Sequence, residues 1–168
     1  MNEQGQRICF FTGHRQIDPL RMPSLLASLQ VVLDELIADG ITLFRSGGAL
    51  GFDTLAAMAV LDQQRRLPEI RLELVLPCGD QTKGWSRANQ EIHQGLIKRA
   101  DRVICLHEYY VPGCMQERNR HLVRDSDIGV AFCLSDQGGS AYTVGYAKKQ
   151  GIRVINLAER RSIFTQNS

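Results

Sequence analysis

Apolar residues in this sequence alternate between short runs typical of strands and longer stretches with helical spacing. Residues 22–39 show the clearest helical pattern, because apolar side chains recur every three or four positions and Gly40 follows as a stop signal. Residues 7–12 form a short apolar run that ends at Gly13, as buried strands do. The whole pattern predicts six strands, at 7–12, 41–45, 70–76, 102–106, 128–134 and 152–157, and five helices, at 22–39, 53–64, 86–99, 115–124 and 140–150.

The order of these elements predicts the fold class. Strands and helices alternate, and the connections lack the two-residue turns of β-hairpins, which favours right-handed crossovers between parallel strands. We therefore expect an α/β, Rossmann-like, doubly wound and mainly parallel sheet of about six strands with helices on both faces. The length of 168 residues predicts one domain over residues 1–168, with its core at about 7–158 and a polar C-terminal tail.

Charge and hydropathy exclude several classes of protein. Twenty basic and eighteen acidic residues give a formal net charge of +2, which is too small for broad binding to a nucleic-acid backbone, so a nucleic-acid partner is not expected. The first seven residues are polar and resemble no secretory signal, and no apolar run is long enough to span a bilayer. We expect a cytoplasmic protein without a membrane partner.

The five cysteines are scattered and show no CxxC spacing, so neither a metal site nor a required cofactor is expected. Cys9, Cys105 and Cys133 lie in apolar runs and are expected to be buried thiols. Cys78 and Cys114 follow proline or glycine in loop-like sequences.

Candidate chemistry lies in the loops that follow the predicted strands. Ligands of open parallel sheets bind outside the carboxyl ends of the strands, where helix N-termini attract anions. The glycine-rich loops at 46–53 and 138–143 occupy such places, and glycine lets backbone amides approach phosphate oxygens. Neither the Walker pattern GxxxxGK[ST] nor the dinucleotide pattern GxGxxG occurs. The loops predict a phosphate-bearing, nucleotide-like ligand.

Several motifs together resemble a known family. The stretch SGGALGFD at 46–53 is similar to the SGGAxGxD signature of the Smf/DprA and Lonely-Guy (SLOG) superfamily. TGHR at 12–15, Arg118-Asn119, Ser126-Asp127 and Gly138-Gly139-Ser140 resemble its YpsA-like branch of bacterial proteins. The resemblance implies a Rossmann-like fold and recognition of nucleotides or related metabolites. It also implies a homo-oligomer, such as a dimer, for which the apolar helix at 53–64 would provide a surface.

The Lonely-Guy enzymes in that superfamily suggest a hydrolase. Met115, Arg118 and Asn119 match their methionine-to-arginine element, with Asn119 in place of a lysine. Their PGGxGTxxE element falls on 137–145, which puts Gly145 at the position of the glutamate. Since glycine cannot accept a proton, hydrolysis by that route is not expected, and the catalytic residues stay unassigned. A hydrolase using Asp53, Glu108 or Glu117 is one alternative, and DprA-like binding of single-stranded DNA is another.

Individual side chains have a functional and a structural interpretation. Arg118 could grip phosphate or be a solvated arginine, and Asp53 could bind a ribose hydroxyl or cap its helix. Trp85, Tyr109 and Tyr110 could stack on the ligand or line the pocket, whereas Trp85 could equally be core.

A nucleophilic pairing of Cys114 with His107 near Glu108 is not favoured. The leading hypothesis is a protein that binds or senses a nucleoside phosphate, NAD or an ADP-ribose type of ligand. The residues predicted to bind it are Thr12, Gly13, His14, Arg15, Ser46, Gly47, Gly48, Gly51, Asp53, Arg118, Asn119, Gly138, Gly139, Ser140 and Thr143.

Overall fold

The strands form one parallel sheet in the order β4-β3-β2-β1-β5-β6. A computed structural model describes residues 1–159, so the end of the predicted polar tail lies outside the described residues. The parallel order confirms the predicted Rossmann-like α/β fold. The strands are β1 Arg7–Gly13, β2 Ile41–Ser46, β3 Arg71–Leu76, β4 Arg102–Cys105, β5 Ile128–Phe132 and β6 Arg153–Asn156.

Five helices connect the strands, and their ends differ from the predicted ones by at most one residue. Ser86 caps α3, because its hydroxyl accepts a hydrogen bond from the Asn89 N–H at 3.2 Å. A short 3-10 turn, Pro19–Arg21, precedes α1. The helices are α1 Met22–Ala38, α2 Phe52–Gln64, α3 Arg87–Arg99, α4 Cys114–Val123 and α5 Gly139–Lys149.

The core lies on both faces of the sheet. The larger cluster packs α1 and α2 onto the strands around Phe11, Phe44 and Phe52. The smaller one packs α4 and α5 against Phe10 and Val75. Both faces are therefore covered by helices, which fixes the carboxyl ends of β1 and β5 next to the starts of α2, α4 and α5.

Two glycines allow close packing inside this core. A Cβ atom on Gly129 would lie 2.3 Å from Cζ of Phe10, which is fully buried. A Cβ on Gly13 would lie 2.5 Å from the Phe52 side chain. Both positions leave no room for a larger residue.

Of the three cysteines predicted to be buried thiols, Cys9 alone is fully buried. Cys9 is buried as expected, but Cys105 is exposed, because β4 is an edge strand, and Cys133 is only half-buried beyond the end of β5. Cys78 and Cys114, expected in loops, are both buried. Among residues 1–159, no three potential metal ligands of the His, Cys, Asp or Glu type form a group, and no helix is long and apolar enough to cross a membrane.

The predicted self-association surface on α2 is smaller than its sequence suggests. Phe52, Ala56, Ala57 and Val60 are buried in the core of the same chain. Met58, which is 47% exposed, is the large apolar side chain that this helix leaves open to solvent. The oligomeric state stays a prediction.

Candidate functional site

A cavity of about 300 Å³ opens at the carboxyl ends of β1 and β5, between α4 and α5. This is the edge of the sheet where ligands of parallel α/β folds bind. Three strand-to-helix connections, those after β1, β2 and β5, and one face of α4 build it. It is lined by Thr12, Gly13, His14, Arg15, Asp53, Arg118, Asn119, Gly138, Gly139 and Ser140, all of them predicted site residues, and by Ala49, Met115, Leu122 and Gln137.

The N-terminus of α5 forms one wall of this cavity. Gly138 precedes the helix with φ of 94°, a conformation that favours glycine, and no side chain caps the helix. Within the described residues, the backbone N–H groups of Gly139 and Ser140 have no hydrogen-bond acceptor, and the first helical bond comes from Tyr142 to the Gly138 carbonyl. These free N–H groups and the helix dipole favour a negative group in the cavity.

Arg118 belongs to α4 and lines the wall of the cavity that faces α5, yet the residue is only 5% exposed. Its Nε donates to Oδ1 of Asn119 at 2.9 Å, and its Nη1 donates to the carbonyl of Gly47. Two of the five guanidinium N–H groups are thus used, and among residues 1–159 the Nη2 atom has no acceptor. The interpretation of Arg118 as a solvated surface arginine is wrong, because the side chain is buried.

Asp53 lies beside Arg118 in the first turn of α2 and is also 5% exposed. Its Oδ2 accepts a hydrogen bond from the Ala49 N–H at 3.3 Å. Burial raises the pKa of Asp53 to about 6, although Arg118 and the Ala49 N–H act in the opposite direction. Asp53 does not cap its own helix, as one interpretation supposed, because Gly51 occupies the N-cap and the carboxylate holds the preceding loop.

His14 lines the cavity, and a hydrogen bond with the backbone after β5 holds its ring in place. Its Nε2 accepts a hydrogen bond from the backbone N–H of Leu134 at 2.7 Å, so the ring is neutral and carries its proton on Nδ1. The imidazole packs edge-to-face on Phe132, with ring centroids 5.9 Å apart. Within the described chain, the Nδ1–H has no acceptor, which leaves a donor in the lining of the cavity.

The glycines of the first glycine loop contact protein rather than the cavity. The Gly47 carbonyl accepts hydrogen bonds from Arg118 and, at 3.1 Å, from Gln81, and the Gly48 carbonyl accepts from His93 Nδ1 at 3.1 Å. A Cβ on Gly51 would lie 2.4 Å from the carbonyl oxygen of His14. Close packing therefore explains these glycines. Direct ligand contact stays a prediction for Ser46, Gly47, Gly48 and Gly51, which lie outside the cavity lining.

Thr143 also lies outside the lining. It is fully buried, and its Oγ1 donates to the Gly139 carbonyl at 2.9 Å. This hydrogen bond holds the first turn of α5 in place, so Thr143 supports the wall from inside the helix. Gly145 lies one half-turn further along α5, outside the cavity lining, and a Cβ there would meet nothing within 4 Å.

The other candidates are dispersed. Trp85 is half-buried and packs edge-to-face on His93 at 5.4 Å. Tyr109 and Tyr110 are exposed and do not line the cavity. His107 does not pair with the fully buried Cys114.

The partner of His107 is instead Glu117, whose Oε2 lies 2.6 Å from Nε2 of the histidine. This pair lowers the pKa of the Glu117 carboxyl, chiefly through the hydrogen bond from His107. Neither Glu117 nor Glu108 lines the cavity. Of the three acids proposed for a hydrolase, Asp53 alone is in the lining.

Sequence reasoning missed Ala49, Leu122 and Gln137 as lining residues. A signal for Leu122 is present in α4. Met115, Arg118, Asn119 and Leu122 are spaced three, four and seven residues apart, which places them on one face of a helix.

The fold and this cavity define a Rossmann-like α/β protein with a cavity lined by charged and polar residues at the carboxyl edge of its sheet. Residues 9–156 match the model of the YspA SLOG family, and the chain belongs to that family. The curated relatives it resembles include a UPF0398 protein of Bacillus pumilus (strain SAFR-032), which is 29% identical over 133 residues, with 78% of this chain and 72% of the relative covered.

Two solved structures share the fold. DNA processing protein A from Helicobacter pylori, which binds single-stranded DNA, superimposes with a TM-score of 0.61 and 21% identity over 88% of this chain and 63% of that one. DNA processing protein A from Streptococcus pneumoniae gives a TM-score of 0.64 and 18% identity over 89% of this chain and 49% of that one. This chain therefore spans less than two thirds of either protein, and the likeness concerns the fold.

Proposed function

We propose that this protein binds a small nucleotide-derived phosphate ligand, with Arg118 as the main contact to the phosphate. The ligand would lie in the cavity at the carboxyl ends of β1 and β5, which we call the carboxyl-edge cavity. The observation that carries the proposal is that the Arg118 guanidinium lines the cavity and keeps hydrogen-bond donors that no protein group among residues 1–159 uses. It is 5% exposed, lines the cavity and has unused N–H donors on Nη2. These unused donors are accessible from the cavity, and phosphate oxygens would accept charge-assisted hydrogen bonds from them.

The rest of the lining supports an anion. Arg15 and Arg118 face one carboxylate, that of Asp53, and the free N–H groups of Gly139 and Ser140 add a positive potential. The neutral His14 adds a donor. Each of these groups favours a ligand oxygen that carries negative charge.

The size of the cavity supports a mononucleotide. Its volume of about 300 Å³ lies at the lower end of the range typical of small-molecule sites. A nucleoside monophosphate is therefore a better fit than NAD or ADP-ribose, which carry a second nucleoside or ribose unit. No metal ion is part of this proposal.

A calorimetric titration tests the proposal. Nucleoside monophosphates, NAD and ADP-ribose would each be titrated into the wild-type protein and the variants Arg118→Gln and Arg120→Gln. Arg120 is the matched control, because it lies on the same helix, is exposed and is outside the cavity lining. We expect a monophosphate to bind wild type and Arg120→Gln equally, and Arg118→Gln to bind about tenfold or more weakly.

A thermal melt of each variant, with the far-ultraviolet circular dichroism spectrum, would establish that Arg118→Gln is folded. Arg118→Lys keeps the charge and loses the fork of donors, so we expect its affinity to lie between those of wild type and Arg118→Gln. Equal affinities of Arg118→Gln and Arg120→Gln would contradict the role of Arg118. Absence of binding by every nucleotide would contradict the proposed function itself.

Asp53 supports a second candidate, a nucleotide-processing hydrolase. It lines the cavity, and burial gives its carboxyl a pKa of about 6, which suits an acid or base near neutral pH. Incubation of the protein with each nucleotide, followed by chromatography, distinguishes the candidates. Several turnovers per protein that disappear in Asp53→Asn would favour the hydrolase, whereas unchanged nucleotide favours binding alone.

Single-stranded DNA binding is a third candidate, favoured by the fold shared with the Helicobacter pylori protein. A fluorescent oligonucleotide would be titrated at two salt concentrations. Binding that weakens as the salt rises would support contacts with the phosphate backbone. Binding of monophosphates with no affinity for the oligonucleotide would exclude it.

A further inference from the structure

A second cavity, of about 420 Å³, lies at the opposite edge of the sheet. It opens beside Arg71 and Arg102, which are the first residues of β3 and β4, and so lies at the amino ends of these two strands, from which it reaches Arg45 of β2. Five charged side chains line it, those of Arg45, Arg71, Glu73, Asp101 and Arg102. We call it the amino-edge cavity. Nothing in the proposed function uses it.

A row of three charged side chains crosses the sheet in this cavity. Arg45, Glu73 and Arg102 lie in register on β2, β3 and β4. Nε of Arg45 is 2.8 Å from Oε1 of Glu73, and Nη1 of Arg102 is 3.5 Å from Oε2. Glu73 is 1% exposed and Arg45 is 8% exposed.

Burial of the Arg45–Glu73 ion pair in this row is unfavourable in free energy. Removing charges from water costs several kcal/mol per ion, and apolar side chains of similar size would hold the strands together as well. Glu73 uses both carboxylate oxygens on arginines, which fixes the two guanidinium groups next to each other. The row therefore positions Arg45 and Arg102 side by side at the cavity.

The arginines keep unused donors. Nη1 of Arg45 donates to the Arg124 carbonyl, whereas among residues 1–159 its Nη2 has no acceptor. The Arg102 side chain is 68% exposed and uses Nη1 alone in its ion pair. Three arginines in the lining face two carboxylates, so the cavity carries an excess of positive charge.

The pKa of His121 is lowered chiefly by burial, and the arginines of this cavity contribute to the shift. Burial lowers this pKa, and the charges of Arg45, Arg124 and Arg102 lower it further, although Glu73 acts in the opposite direction. His121 belongs to α4, so the positive field extends from the strands to the helix that covers them. A multiply charged anion is the ligand that this field favours.

We propose that the amino-edge cavity is a second ligand site, which binds a small, multiply charged oxyanion between Arg45, Arg71 and Arg102. The shared chemistry is a set of phosphate or carboxylate oxygens that accept paired hydrogen bonds from guanidinium groups. Because this site and the carboxyl-edge cavity lie at opposite ends of the strands, each can be tested without the other.

The test is a titration of the full chain, labelled with nitrogen-15, with pyrophosphate in one arm and citrate in the other, followed by amide chemical shifts. We expect saturable shifts at Leu43, Leu72 and Arg102, which line the cavity. Saturation by pyrophosphate alone identifies a phosphate ligand, and saturation by citrate alone identifies a carboxylate ligand. Either supports the site.

Three variants complete the test. Arg102→Gln should weaken binding about tenfold or more. Arg71→Gln should also weaken anion binding, and it leaves both ion pairs of Glu73 in place. This variant therefore distinguishes the loss of a ligand contact from the disruption of the ion pairs between Arg45, Glu73 and Arg102. Arg87→Gln is the control, because Arg87 has a side chain that is 91% exposed and lies on α3 outside this cavity.

Three results would overturn the proposal. The first is shifts confined to Gly138, Gly139 and Ser140, which would place the anion in the carboxyl-edge cavity instead. The second is equal weakening in Arg87→Gln and Arg102→Gln, which would mean a nonspecific effect of charge. The third is an absence of saturable shifts with both anions.

Discussion

The buried carboxyl of Asp53 makes a specific prediction about stability and pH. Its pKa is about 6 in the folded protein, against 3.8 for an aspartate in water. Below pH 3.8 both the folded and the unfolded chain hold the proton, so the group contributes no pH dependence. As pH rises from 3.8 to 6, the unfolded chain releases the proton and the folded chain keeps it, so the free energy of unfolding falls.

The magnitude follows from the two pKa values. A tenfold change in an equilibrium costs about 1.4 kcal/mol, so the difference between about 6 and 3.8 corresponds to about 3 kcal/mol. Asp53 is 5% exposed, which means that solvent screening reduces this value little. Above pH 6 both states are ionised, and the cost stays constant.

Urea unfolding of wild type and Asp53→Asn between pH 4 and pH 8 measures this cost. The difference between the two proteins removes the contribution of every other titrating group, including His93, whose pKa is lowered chiefly by burial. We expect wild type to lose stability relative to Asp53→Asn as pH rises, by about 3 kcal/mol in total. Parallel pH profiles for the two proteins would refute the assignment of a raised pKa to Asp53.

Three substitutions test the packing. Gly129→Ala should lower the free energy of unfolding by about 1–3 kcal/mol, because the new Cβ would lie 2.3 Å from Phe10 Cζ. A urea midpoint equal to that of wild type would contradict the close packing of Gly129 against Phe10. Gly145→Ala is its control and should raise the melting temperature, since a helical Cβ there meets nothing within 4 Å and alanine stabilises helix interiors by about 0.5–1 kcal/mol. Asn156→Ala should lower the free energy of unfolding, measured in urea, by about 1–3 kcal/mol. The Asn156 side chain accepts a hydrogen bond from the Cys133 N–H at 3.1 Å and donates one to the Cys133 carbonyl at 2.8 Å, and both would be lost. Unchanged stability would mean that water replaces both hydrogen bonds.

The secondary structure could be predicted from the sequence because its signals are local. The three- and four-residue spacing in α1 and the apolar runs of β1 and β5 are each visible within a dozen residues. Ends of elements moved by one or two residues where hydrogen bonding, rather than hydropathy, decides them. One such end is β5, where Cys133 hydrogen-bonds to the Asn156 side chain after the strand has ended at Phe132.

The site could be predicted only in part, since its decisive contacts are long-range. Arg118 and Gly47 are 71 positions apart, and no local pattern shows that the guanidinium holds the glycine loop. Arg45 and Glu73 each stand in an apolar strand, and only the register of β2 with β3 makes them neighbours. The contacts of the Gly47 and Gly48 carbonyls with Arg118, Gln81 and His93 likewise join residues that are far apart in the sequence.

The hydrogen bond from Leu134 to His14 restricts what else position 14 could accommodate. A residue there has to accept a backbone N–H on one side and offer a donor to the cavity on the other. Neutral histidine does both through its two ring nitrogens, and side-chain amides and hydroxyls also combine an acceptor with a donor. Lysine and arginine offer donors only, and a carboxylate offers acceptors only. Position 14 therefore favours an uncharged side chain that combines an acceptor with a donor, and a side chain with a full charge would lose one of the two contacts.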